Sequence, residues 1–303
     1  PPLSVGANTA AGGAAPRAPA ATRPGGRGGD DMRILITNDD GVTAPGLKAA
    51  EEIAAEVAGP GGEVWVVAPE MEQSGVAHCI SYTKPMRLVP LAERRYAVDG
   101  TPADCVIVAL KHLMAETPPD LILSGVNRGH NVAEDVVYSG TVGGAIEGVL
   151  HGFRAVALSQ AYGPATIGED DLFAAARRAG AEAVRRVLDL PWDEGAPYGL
   201  FYNVNFPPVP AAQVRGVRAA TQGRRPNGAF RVQEQVAPNG RTYFWLAHGR
   251  GNHESPEGTD AREAGEGWVT VTPLRADLTA HERLEATARA LGPAPLASDA
   301  AGG

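Results

Sequence analysis

Cysteine is nearly missing from these 303 residues: Cys79 and Cys105 are the only two, and neither has a CxxC partner. That excludes a disulfide framework and sets the expectation of a reducing cytoplasm with two buried, inert thiols. Long apolar runs are missing too. None approaches the ~20 residues a membrane helix needs, so no membrane partner is expected. Positive charge is short: the formal net charge of −8 argues against nucleic-acid polymers and anionic membranes. It leaves room for a small anionic substrate, which needs only local positive charge or a metal. No GxGxxG follows the first predicted strand, and neither GxxxxGK(S/T) nor GxSxG occurs. A nicotinamide cofactor, a P-loop and a serine-hydrolase elbow are therefore not expected. The seven histidines form neither HExxH nor a zinc spacing.

What is present reads as α/β. The length suits one large domain or a domain with an appendage, and the 44% hydrophobic fraction is that of a soluble protein. Residues 1–31 are rich in Ala, Gly and Pro with scattered arginines, and lack the apolar middle of a signal peptide; they and residues 293–303 are predicted to be disordered tails. Arg33–Thr37 is a short β-branched run of the kind that forms a doubly buried strand. Leu47–Ala58 has helical spacing and stops at Gly59-Pro60. Val64–Ala68 and Tyr96–Val98 read as strands. Thr101 caps a helix running to about Met114, with Pro102 at its first position. A strand Leu121–Leu123, a polar loop, a helix from about Ser139 to Leu150, a strand Ala155–Leu158 and a helix Leu172–Leu188 follow. This alternation predicts a doubly wound, mostly parallel sheet over residues 32–199.

From Leu200 to residue 292 a β-rich extension is expected. Its strands are Phe201–Asn205, Phe230–Val236, Tyr243–Leu246 and Trp268–Thr272, with Asn239-Gly240 as a hairpin turn. A final helix should open on a capping box, Thr279-Ala280-His281-Glu282.

Polar clusters fall at successive strand ends, the crevice side of a parallel sheet. They are Asn38-Asp39-Asp40-Gly41, Gln73-Ser74-Gly75 and Ser124-Gly125-Val126-Asn127. Singly, each also suits an ordinary turn. Together, two carboxylates, a hydroxyl and an amide oxygen make a hard oxygen set suited to one Mg²⁺ or Mn²⁺ per subunit. A fourth cluster, Tyr138-Ser139-Gly140-Thr141, opens a helix whose free N–H groups and dipole suit an anion. A metal beside such a cradle is the equipment of a phosphate-ester hydrolase. His130 is the one histidine in a polar cluster; it reads more readily as a solvated loop histidine than as a contact to a substrate phosphate. Arg224-Arg225 reads as a solvated surface pair.

These residues spell out a resemblance. Asn38 to Gly46, Ala68-Pro69 with Gln73-Ser74-Gly75, Gly100 to Cys105, Ser124 to Asn127, Tyr138 to Val142, Asn203 to Pro207, Gly258-Thr259-Asp260 and Thr272 to His281 resemble the survival protein SurE family. The match runs in order from Met32 to about Leu284. It implies a Rossmann-like fold and a metal-dependent 5′/3′-nucleotidase acting on nucleoside monophosphates, with short polyphosphate as a further substrate in some members. It also implies a cytoplasmic homodimer or homotetramer. By position, Asp39, Asp40, Ser74 and Asn127 match the family's metal ligands, with Asp39 and Asp40 catalytic. Asn131, Ser139, Gly140 and Thr141 match its phosphate-site residues, and Asn38 and Gly75 are grouped with them. Asp277 and His281 match its pattern too and are expected to pair, fixing the last helix for assembly. The chain departs from the pattern at Glu70, where Asp is common, at Arg128 and His130, and in the longer turn Gly59–Glu63. A non-catalytic nucleotide-binding stress module is the rival reading; it would keep the cradle without needing a complete metal set.

Overall fold

The computed structural model describes residues 31–193, 195–196, 198–225, 230–248 and 255–292, so of the two expected tails only Asp31 lies within the described residues. The first strand, β1 (Arg33–Thr37), is buried throughout. Its side chains alternate between two cores, Ile34 and Ile36 in one and Leu35 in the other. That is what a continuous apolar run achieves when both faces of a strand are covered. The helix α1 (Pro45–Ala58) follows, ending at Gly59, whose φ of 80° suits glycine. Next come β2 (Glu63–Pro69), β3 (Leu88–Ala92), β4 (Arg95–Val98) and α2 (Pro102–Val108). Thr101 caps α2 in a reciprocal box with Asp104, and a π-helical turn carries the chain on to Met114.

Then follow β5 (Leu121–Arg128), α3 (Asp135–Tyr138), α4 (Gly140–Leu150), β6 (Arg154–Gln160), α5 (Ala174–Leu188), β7 (Leu200–Phe206), β8 (Gly216–Ala219), β9 (Phe230–Val236), β10 (Thr242–His248), α6 (Asp260–Gly265), β11 (Trp268–Arg275) and α7 (His281–Leu291). The nine-stranded sheet has the order β3-β4-β2-β1-β5-β6-β7-β11-β8. From β4 across to β7 it is parallel. Residues of α1 and α5 join the Ile34 core, those of α2 and α4 the Leu35 core, so the sheet is doubly wound.

β7, β11 and β8 continue the main sheet, so the chain after Leu200 is not a separate β layer; only β9 and β10 pair apart from it. β11 runs antiparallel to β7, and β8 pairs parallel with β11 as the edge strand. The β9–β10 hairpin turns at Asn239-Gly240 as expected, with Gly240 at φ 78°.

Three other expectations change. The Thr279 capping box does not form: Ala280 is the N-cap of α7, and the Thr279 amide donates instead to Asp277 Oδ1 at 2.8 Å. Asp277 has taken the local donor that a capping side chain would compete for. Cys79 is exposed, because it lies in the irregular loop after β2; Cys105, on α2, is buried as expected. Arg225 is buried rather than solvated, because two acids pair with it. Among the described residues, no helix is long and apolar enough to cross a membrane.

Candidate active site at the sheet's switch point

The chain leaves β1 toward β2 and β4, then returns to β5 on the other side. The strand order reverses between β1 and β5, which is where open α/β sheets place ligands. The turn after β1 is held from inside. Asn38 is fully buried and its amide donates to the Gly41 carbonyl at 2.9 Å, so its part here is to hold the turn. Gly41 takes φ 99°, a conformation glycine adopts at little cost. Two bonds draw the neighbouring clusters in. The Gln73 amide donates to the Asp39 carbonyl at 2.7 Å, bringing up the Ser74-Gly75 loop. The Arg128 amide donates to Asp40 Oδ2 at 2.8 Å, bringing up Asn127 at the end of β5. Gly125 is needed there: a β-carbon on it would stand 2.1 Å from the Leu158 carbonyl oxygen.

The start of α4 behaves differently from the empty anion cradle that was expected. Thr141 is fully buried; its hydroxyl donates to Asp39 Oδ1 at 2.6 Å and its amide to Oδ2 at 3.2 Å. Ser139 caps the helix by accepting the Val142 amide at 3.1 Å. The anion at this helix start is therefore Asp39 itself, favoured by the dipole and free N–H groups. Thr141 grips the Asp39 carboxylate through both its hydroxyl and its amide. Gly140 permits the approach. A β-carbon there would lie 3.0 Å from Asp39 Cβ, 3.1 Å from its Oδ2 and 3.1 Å from Val76 Cγ2. Gly140→Ala should thus keep the fold, with a melting temperature within a few degrees, yet lower turnover by about tenfold or more by pushing Asp39 off its position. Unchanged turnover, measured as phosphate release, would show that the carboxylate has slack.

The two acids are electrostatically uncomfortable. Burial pushes the Asp39 carboxyl up to about 6, the Asp40 charge adds to the rise, and the Thr141 hydroxyl opposes it. Burial also raises Asp40, with Glu72 adding and the Arg128 amide opposing. Ser74 is exposed and donates to Glu72 Oε1 at 2.8 Å. The Asn127 Nδ2 donates to the Gly129 carbonyl at 3.1 Å, so its side-chain oxygen is the atom a cation would meet. No three His, Cys, Asp or Glu among the described residues are grouped to hold a metal ion, so a cation here needs the neutral oxygens of Ser74 and Asn127 beside the two acids. The donor set fits a hard divalent ion.

Around this centre lies a supporting frame with few individual sequence cues. Asn131 is held rather than free: its amide donates to Asn205 Oδ1 at 2.7 Å, its carbonyl accepts from Asn203 and Asn205, and its side chain donates to Ser159 at 2.8 Å. The Asn203–Asn205 pair, two apart on β7 and so on one face, explains the Asn-Val-Asn motif. Asp260 takes three backbone amides, those of Ala133 and Gly223 from two distant segments and that of its neighbour Ala261. Arg225 meets Asp135 through both guanidinium arms, at 3.0 and 2.6 Å, and its second arm lies 3.0 Å from His130 Nε2. His130 is thus bound into an Asp135–Arg225 cluster. Burial would raise Asp135, but the hydrogen bonds from His130 and Arg225 bring it below the usual carboxylate range.

Glu147 on α4 bonds both His78, at 2.6 Å, and His151, at 3.0 Å. It fastens the Ser74 loop to the helix that grips Asp39. The Asp277–His281 pair does form, at 2.7 Å, where the chain enters α7.

The family model described as Survival protein SurE matches residues 34–228. A 5′-nucleotidase SurE of Ruegeria pomeroyi is 55% identical over 255 residues, spanning 84% of this chain and 98% of that protein. One from Cereibacter sphaeroides is 57% identical over 253 residues, spanning 84% and 97%. The crystal structure of the SurE protein from Aquifex aeolicus superposes with a TM-score of 0.72 at 34% identity, covering 86% of this chain and all of that one. The matched stretch carries both acids, Ser74, Asn127 and the α4 start in the order their geometry requires. The chain belongs to the survival protein SurE family.

Proposed function

We propose that the chain is a metal-dependent phosphomonoester hydrolase, a 5′-nucleotidase that releases phosphate from nucleoside monophosphates. The observation that carries this is the Asp39–Asp40 pair at the switch point, buried, raised by its surroundings and aligned by Thr141 and the Arg128 amide. A stress module that only binds nucleotides has no use for two costly acids held this way. Asp39, Asp40, Ser74 and Asn127 would hold one Mg²⁺ or Mn²⁺, which when bound neutralises phosphoryl charge and polarises the phosphorus. Asp39 has both oxygens occupied by Thr141, which blunts it as a nucleophile and favours attack by water. Of the two acids Asp40, less buried and with only one oxygen in the Arg128 bond, is the better placed to orient that water and take its proton. Asn131 and Gly75, on the two loops flanking the acids, and the Gly140 turn at the head of α4 frame the phosphate. The reading extends to short polyphosphate as a second substrate and to a cytoplasmic setting.

It extends also to a homodimer or homotetramer. Val232, Phe244, Trp245 and Leu246 of the hairpin are all more than 60% exposed, and α7 has no buried residue. A two-stranded hairpin with such a surface needs a partner to be stable.

The deciding experiment is phosphate release from a panel of nucleoside monophosphates and tripolyphosphate with Mg²⁺, Mn²⁺ or chelator, with light scattering for assembly. Release from at least one nucleoside 5′-monophosphate, abolished by chelator, is expected. Binding without release under every metal would hand the site to the stress-module reading.

A further inference from the structure

Beside the acids lies an aromatic side chain that the hydrolytic reading leaves without a task. Gly129 donates its amide to the Gln160 carbonyl at 2.9 Å, tying the loop after β5 to the end of β6. Two residues past β6 stands Tyr162, 42% exposed. Its backbone surroundings are fixed: the Ala161 amide donates to the Phe206 carbonyl at 3.0 Å, and the Gly163 amide to the Thr166 hydroxyl at 3.1 Å. The Arg128 guanidinium carbon sits 5.9 Å from the Tyr162 ring centre. The backbone amide of the same Arg128 holds Asp40.

Gly129 stands between the Asn127 amide and the Tyr162 ring. A β-carbon on it would lie 3.7 Å from the Asn127 Nδ2 and 3.9 Å from Tyr162 Cε1. The Tyr162 ring thus neighbours both the Arg128 guanidinium and, across Gly129, the Asn127 amide.

Resting on the nucleotidase reading, we propose that Tyr162, flanked by Arg128, is the shelf on which the substrate's base stacks while its phosphate reaches Asp39 and Asp40. A nucleoside monophosphate places one ribose between base and phosphate, and Gly129 lies between the Tyr162 ring and Asn127, the proposed ligand beside the acids, in the same order. With the Arg128 guanidinium over one face of the ring, the other ring face or the guanidinium plane attracts any base through stacking and cation–π contact, without reading its hydrogen-bonding edge. The shelf therefore predicts broad base tolerance, with purines bound more tightly than pyrimidines because they offer more stacking surface. Tyr162 would act as a specificity residue that tells nucleotides from simple sugar phosphates.

The test compares AMP with ribose 5-phosphate, which keeps the phosphate and sugar but lacks the base, in wild type, Tyr162→Ala and Tyr162→Phe under the metal that supports release. Tyr162→Ala should raise KM for AMP by about tenfold or more, with kcat for AMP nearly held. The preference for AMP over ribose 5-phosphate, as a ratio of kcat/KM, should fall by a similar factor. Tyr162→Phe, which keeps the ring, should restore it. Equal losses on both substrates would make Tyr162 merely structural, and an unchanged ratio would place the base elsewhere; either overturns the shelf while leaving the hydrolase standing. A wild-type enzyme idle on both substrates would overturn the hydrolase reading, and the shelf with it.

Discussion

Asp39→Asn and Asp40→Asn should each lose about a thousandfold or more of phosphate release, because each removes one of only two charges the site offers a divalent ion. The accompanying change in stability has an unusual sign. Asp39 is nearly fully buried and its carboxyl is pushed up to about 6 by that burial. An acid raised in the folded state holds its proton more tightly there than in the unfolded chain. Its favourable contribution is therefore complete below pH 4 and is lost as pH rises through about 6. In chelator, wild type should lose roughly 2–3 kcal/mol relative to Asp39→Asn across that window. About 1 kcal/mol of the difference is offset where Asn accepts less well from Thr141. Adding Mg²⁺ or Mn²⁺ should reverse the order, since only wild type gains binding free energy, and protons should compete with the ion below about pH 6. Melting curves with and without metal at pH 4.5, 6 and 7.5 measure all of this. Wild-type turnover in either variant at low metal would remove the acids from the chemistry.

Why those acids were legible while their keeper was not is a matter of sequence distance. Adjacent carboxylates at the end of a buried apolar strand announce themselves, because few environments accept them. Asp39's main partner, Thr141, lies 102 residues away, and a Ser-Gly-Thr at a helix start reads equally well as a cap or a phosphate cradle. Only the close approach of the α4 start, at Gly140, to the turn after β1 decides that the helix dipole serves a side chain of the protein itself.

The elements divide in the same way. β1, the end of α1 and the strands β6 and β7 carry strong periodic or β-branched signals and lie where expected. β3 was missed because Pro90 interrupts an edge strand that is only partly buried, and β8 because four residues of an edge strand carry too little pattern. α6 has one and a half turns, too short to show a helical period. The burial of Arg225 could not be read locally either, since the acids that neutralise it stand about 90 residues earlier.

Asp260→Ala should be the most damaging single change to stability among the frame residues, costing about 3–5 kcal/mol and lowering the melting temperature by about 10 °C. Asp260 is wholly buried, yet it touches no proposed ligand of the metal. Its Oδ1 accepts the Gly223 amide at 2.8 Å and the Ala261 amide at 2.7 Å, and both oxygens lie 3.2 Å from the Ala133 amide. Burial raises this carboxyl despite those three donors, with the Arg225 charge also favouring the ionised form. Truncation leaves three amide donors facing a cavity, two of them on the buried residues Ala133 and Ala261. An unpaired buried donor costs about 1–3 kcal/mol, and partial relaxation keeps the total below the full sum. Asp260→Asn should cost about half as much, since one oxygen still accepts while the new NH₂ meets donors. Because Ala133 sits at φ 52° and closes the loop that holds His130 and Asn131, turnover should fall in both variants even well below their melting temperatures. A melting temperature within about 2 °C of wild type for Asp260→Ala would mean that water or a neighbouring carbonyl replaces the carboxylate, and that Asp260 does not hold these segments together.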